Sequence, residues 1–185
     1  MDVRTALILV DIQNDYFHGG KMTLEGMDAA SSNAGRLLSR FRAQSLPVLH
    51  IRHIANRPGA TFFLPDTPGS EIHPSVAPIE GEILIVKHFP NSFRATPLLD
   101  QLKKAGATSA VVCGAMSHMC IDATVRAAWD LGFQCLVAQD ACATRTLAFG
   151  QETVPATQVH AAFMAALSAA YAQVLSTEEL IKKIA

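Results

Sequence analysis

SAVVCGAMSHMCIDATVRAAWDLG, Ser109 to Gly132, joins two kinds of pattern. Its first five residues, Ser109 to Cys113, form a continuous apolar run too short for a helix. The chain from about Met119 to Leu131 reads as a helix. A strand buried on both faces that runs into a helix is half of a βαβ unit. The same alternation recurs along the chain. Thr5–Val10 (TALILV), Leu46–Ile51, Glu82–Val86, Phe133–Ala138 and Ala172–Leu175 read as further strands. Ser31–Gln44, with Leu37, Leu38 and Phe41 on one face, reads as a helix, as do Thr96–Ala105, Thr157–Tyr171 and Thr177–Ile184. The expected architecture is a three-layer, doubly wound α/β fold with a mostly parallel sheet of about six strands.

The bulk composition narrows the function classes. A chain of 185 residues, half hydrophobic and 17% charged, suits one globular domain over residues 1–185. The net charge is −1 with no block of like charge, so neither nucleic acid nor an anionic membrane is an expected partner. The opening apolar run stops at Asp11 and lacks signal-peptide flanks, which makes the cytoplasm the expected location. Four cysteines without a C-x-x-C pair signal neither a zinc knuckle nor a dithiol redox centre. No G-x-G-x-x-G follows the first strand, so a dinucleotide is not expected.

Open α/β sheets bind ligands outside the carboxyl ends of their strands. The first strand here ends in Asp11 and the third in Lys87, and Cys120 follows the fourth near the start of a helix. Each alone has a plain structural reading: a turn cap, a solvated lysine, a core thiol. Together they place an acid, a base and a nucleophile at equivalent strand ends. The carboxylate can take the thiol proton and return it to a leaving amine, and the ammonium can hold that carboxylate ionised. Backbone N–H groups in the turn before Cys120 can hold an oxyanion. The long segment Asn56–Gly81 holds five of the nine prolines yet carries Phe62, Phe63 and Leu64. It reads as an ordered loop packed over the site.

ALILVDIQNDYF, ILIVKHFPNSF and GAMSHMCIDATVRAAWDLGF, in this order, resemble the isochorismatase-like cysteine hydrolase superfamily from Ala6 to about Leu175. The resemblance implies a catalytic triad of Asp11, Lys87 and Cys120. It also implies a cis peptide between Ala115 and Met116, with the N–H groups of Met116 and Cys120 as an oxyanion hole. Nicotinamidases, N-carbamoylsarcosine amidases, ureidoacrylate amidohydrolases and streptothricin hydrolases in that superfamily cleave C–N bonds through the cysteine. Isochorismatases cleave a vinyl ether by protonation, without needing a thiol, so Cys120 favours acyl transfer. Nicotinamidases add a metal on an Asp-x-His pair. His53 stands at the histidine position and His73 lies in the loop, but Ile51 replaces the aspartate, so no metal and no cofactor is expected. The SHMC form of the motif and the loop around FFLP look most like the streptothricin-hydrolase branch. Members often form dimers or tetramers, and a homo-oligomer is expected here.

Gln13, Phe17, Phe62 and Phe93 are candidate contacts for a small-molecule substrate. His118 is a weaker candidate base than Asp11, because residues two apart at a helix start point in different directions. Two other readings stay open at this level. One is vinyl-ether hydrolysis independent of Cys120. The other is a non-catalytic binding subunit with Cys120 as a redox-sensitive thiol.

Overall fold

The computed structural model describes residues 4–184; the ends of the expected 1–185 domain lie outside the described residues. Strands β1 (Thr5–Val10), β2 (Val48–His53), β3 (Ile83–Lys87), β4 (Ser109–Ala115), β5 (Gln134–Ala143) and β8 (Gln173–Leu175) form one sheet in the order β3-β2-β1-β4-β5-β8. Every neighbouring pair is parallel. Strands β6 (Leu147–Phe149) and β7 (Glu152–Val154) form a separate antiparallel hairpin that the sequence reading lacks. The helices are α1 (Met27–Ala43), α2 (Leu98–Lys104), α3 (Asp122–Asp130), α4 (Ala156–Ala170) and α5 (Thr177–Lys183).

The chain lays down β1, β2 and β3 in one direction, then returns to place β4 on the other side of β1. Crossovers between parallel strands are right-handed. Reversing the direction of travel therefore moves the crossover helices to the opposite face, which gives three layers. β4 is buried throughout, and so is β1 from Ala6 on, as continuous apolar runs require. Each fully buried Leu, Ile or Val contributes about 1.5–3 kcal/mol, so these two strands anchor the core.

Several element boundaries shift from the sequence expectation. α1 begins four residues earlier than Ser31, because Met27 and Ala30 already lie on its buried face. β2 begins at Val48, beyond Pro47, and runs on to His53. β5 continues past Ala138 to Ala143 through a register shift opposite Val112–Gly114. Cys120 lies in a single π-helical turn, Ser117–Ile121, and α3 starts only at Asp122.

The point where strand order reverses is the seam between β1 and β4, and Gly114 makes that seam possible. Its φ is +123°, and a Cβ there would lie 1.9 Å from the Val10 carbonyl oxygen. Gly114→Ala is expected to destabilise the fold by more than about 3 kcal/mol, through backbone strain and overpacking together. A urea midpoint within error of the parent would contradict this.

Candidate active site

The reversed seam opens at the carboxyl ends of β1 and β4, and the polar residues gather there. Asp11 leaves β1 in the left-handed conformation, with φ +52°, an uncommon and mildly strained state for a side-chain-bearing residue. Lys87 closes β3, where its register partner is His53 at the end of β2. Its side chain passes across β2 to reach Asp11. Cys120 comes from the π-helical turn after β4, and the Ala115–Met116 peptide before that turn is cis.

Lys87 Nζ is the hub. It lies 2.7 Å from Asp11 Oδ2, 3.0 Å from His53 Nδ1 and 3.2 Å from Cys120 Sγ, and it donates to the Phe89 carbonyl at 3.2 Å. Asp11 and Lys87 are both fully buried, and Cys120 is only 5% exposed. The contact between Asp11 and Lys87 is a fully buried ion pair. Among the described residues, neither carboxylate oxygen has a further partner. The carboxylate therefore keeps acceptor capacity for a thiol or a substrate N–H.

Burial sets the ionisation of this cluster first, and the charges then modify it. Burial alone would depress the Lys87 ammonium, but the Asp11 carboxylate and Cys120 more than offset it, so its pKa is raised. Burial, and next the Asp11 charge, push the Cys120 thiol up, with Lys87 opposing. At neutral pH the proton therefore rests on sulfur, and the helix start does not generate a standing thiolate. Burial pulls His53 down to about 4, against the pull of Asp11, so its ring is neutral and its Nδ1 accepts from Lys87.

This geometry also bears on a metal. Among the described residues, the one group of three potential ligands is Asp11, His53 and Cys120. The Lys87 ammonium already sits within 3.2 Å of a ligating atom of each. A second cation would meet that charge directly, so these residues do not fit a metal. His73 is elsewhere: its ring stacks on Phe17 at 3.6 Å and its Nδ1 pairs with Ser75.

A cavity of about 150 Å³ opens onto Cys120. Tyr16, Phe62, Phe63 and Met116 give it apolar walls, and Asn56, Arg57 and His88 also line it. The loop thus lies over the site, held by two side chains that follow β1. Gln13 Nε2 donates to the His53 and Ser70 carbonyls at 2.9 and 2.8 Å, and its Oε1 accepts from His53 N–H at 2.7 Å. Asp15 Oδ2 accepts from Phe63 N–H at 2.7 Å. A larger, open hollow of about 420 Å³, lined in part by Asp15 and Gly69, contains no cysteine.

The structure brings together Asp11, Lys87, Cys120, Met116 and Phe62, with Ala115 directly behind them. It does not bring in three of the expected substrate contacts. Gln13 is fully buried and its amide is spent on the loop and β2. Phe17 is consumed by its stack on His73. Phe93 packs toward Phe133, 6.4 Å between ring centres, and does not line the cavity. His118 turns away to Thr144 Oγ1 at 2.6 Å. The sequence reading missed Tyr16, Phe63, Arg57 and His88 as cavity residues, and missed His53 as the partner of Lys87. Reading β2 to its true end would have found His53, since that strand end lies between Asp11 and Lys87.

Comparison with known proteins agrees with this fold. Residues 5–179 match the family model of the isochorismatase domain. A Bacillus subtilis (strain 168) protein described as an uncharacterized isochorismatase family member is 54% identical over 178 residues, covering 96% of this chain and 99% of its own. A streptothricin hydrolase of Streptomyces noursei is 36% identical over 154 residues, covering 82% of this chain and 60% of the hydrolase. The crystal structure of an isochorismatase from Pseudomonas putida KT2440 superposes with a TM-score of 0.90 at 39% identity, covering 95% of this chain and 89% of that one.

Proposed function

The chain belongs to the isochorismatase family, and on that premise we propose that it hydrolyses a carbon–nitrogen bond, amide or ureide, in a small molecule through a thioester on Cys120. The observation that carries this reading is the joining of thiol, carboxylate and ammonium around Lys87 Nζ at the foot of a small cavity. The streptothricin hydrolase among the relatives supports the hydrolase class.

Each residue has one task. Cys120 Sγ attacks the carbonyl carbon while its proton passes to Asp11. The oxyanion lies against the N–H groups of Met116 and Cys120. The C–N bond then breaks, and the nitrogen leaves with the proton from Asp11. Water attacks the thioester, giving its proton to Asp11. The C–S bond breaks, the sulfur recovers that proton, and the acid departs. Lys87 fixes Asp11 in place and stabilises developing charge on sulfur. His53 and the Phe89 carbonyl hold the lysine in place. No metal or organic cofactor enters any step.

Incubation with a panel of small amides and ureides tests this directly. The expected result is release of ammonia or amine together with a mass adduct confined to the Cys120 peptide. Turnover with no adduct trapped at Cys120, and with an unchanged rate after its alkylation, would overturn it.

We also propose that the chain assembles as a dimer or tetramer. Phe149 at 86% exposure on the β6–β7 hairpin and the alanine-rich outer face of α4 support this. A monomeric mass by light scattering at micromolar concentration would contradict it.

A further inference from the structure

The cavity has an inner end and an outer end, and their electrostatics differ. At the inner end the charges of Asp11 and Lys87 offset one another. A hollow of about 150 Å³ is comparable with cavities that take one benzene molecule. A substrate larger than a single ring must therefore extend past the aromatic walls to Asn56, Arg57 and His88. Asn56 and Arg57 are exposed, and His88 is held by its Nδ1, which donates to the Ile54 carbonyl at 2.7 Å.

Among the described residues, Arg57 is the one arginine that lines the cavity. Arg36, Arg42, Arg52 and Arg126 each pair with a carboxylate, whereas Arg57, like Arg4, Arg40, Arg94 and Arg145, has no ion-pair partner among the described residues. Nor does any Asp or Glu line the cavity. The outer end is thus a guanidinium without a counter-charge, beside an amide and an imidazole edge. That set favours an anion and disfavours an ammonium group.

We infer that the substrate carries an anionic group, such as a carboxylate, at the end away from the scissile carbonyl, and that Arg57 selects it. This inference rests on the acyl-transfer reading of the same cavity. It identifies Arg57 as a specificity residue that lines the cavity and takes no part in making or breaking bonds.

Two alkylating probes of nearly equal size test it without a known substrate: N-(iodoacetyl)glycine, which is anionic, and N-(iodoacetyl)glycinamide, which is not. Their rates at Cys120 are read by peptide mass spectrometry, and their ratio is normalised to that on free glutathione. The native protein is expected to favour the anionic probe about fivefold to tenfold, by local attraction of the charge. Arg57→Gln should bring the ratio to about one, and Arg57→Glu should bring it below one, because the rim charge is then removed or reversed. Roughly 0.5 M NaCl should compress the native preference, since exposed charges are screened. A native ratio of one, or a preference that Arg57→Gln leaves intact, would overturn the inference while the thiol still reacts. Failure of both probes at Cys120 would instead overturn the acyl-transfer reading, and this inference with it.

Discussion

Cys120→Ala is expected to abolish amide or ureide turnover, by about ten-thousandfold or more. The reason is structural as well as chemical. Asp11 and Lys87 form a pair that moves and stabilises a proton, but neither is placed as an alternative nucleophile. The residue is small and 5% exposed, so its truncation leaves the fold standing, and circular dichroism should match the parent. Ammonia release from the best member of the amide and ureide panel provides the measurement. The same variant separates the competing enzyme reading. Vinyl-ether cleavage runs by protonation, so it would survive Cys120→Ala and fail in Asp11→Asn. Retention of most amide turnover in Cys120→Ala would reject the thioester route.

Lys87→Met should have the largest effect on stability. Methionine nearly matches the lysine stem in shape but leaves Asp11 as a fully buried carboxylate without its counter-charge. Removing one partner of a buried pair costs about 3–5 kcal/mol, a large part of a domain's total stability. The double variant Asp11→Asn/Lys87→Met removes both charges and should recover most of that loss. Turnover should stay absent in both, because the proton acceptor is either uncontrolled or gone. Urea denaturation of the three proteins reads the effect. A double variant no more stable than Lys87→Met would show that the cost lies in lost packing and not in the orphaned charge.

The repeated strand-to-helix alternation made the sheet legible, because buried parallel strands must be apolar throughout. Asp11, Lys87 and Cys120 were legible only together: each alone has a plain structural use, but all three fall at or just beyond the carboxyl ends of such runs, where open α/β sheets bind ligands. What stayed hidden depended on partners distant in sequence. Asp140 makes the end of β5 look like a loop, yet its Oδ1 accepts from both the Thr177 N–H and its hydroxyl, at the start of α5. The β6–β7 hairpin lacks a core-facing alternation, since most of its residues are exposed. Gln13 offered a free amide in sequence, but folding spends that amide on the backbone of His53 and Ser70. Phe17 and Phe93 lie near the motifs along the chain but not at the cavity. Tyr16 and Phe63 occupy the wall instead, packed edge to face at 4.6 Å. Which aromatic faces the cavity is decided by the hydrogen bond from Phe63 N–H to Asp15, 48 residues away in sequence.

The central claim is that Asp11 and Lys87 act together on the Cys120 thiol, and the rate of Cys120 alkylation against pH tests it most directly. Limiting iodoacetamide would be applied from pH 5 to 9 to the parent, Asp11→Asn and Lys87→Met, with the adduct located by peptide mass spectrometry. Asp11 raises the thiol and Lys87 lowers it. Asp11→Asn should therefore shift the profile to lower pH and quicken labelling near neutrality, even as turnover is lost. Lys87→Met should shift the profile to higher pH and slow it. Opposite shifts from the two variants, at Cys120 and not at Cys142, are the predicted result. Identical profiles in all three proteins, with Cys120 no more reactive than Cys142, would contradict the account.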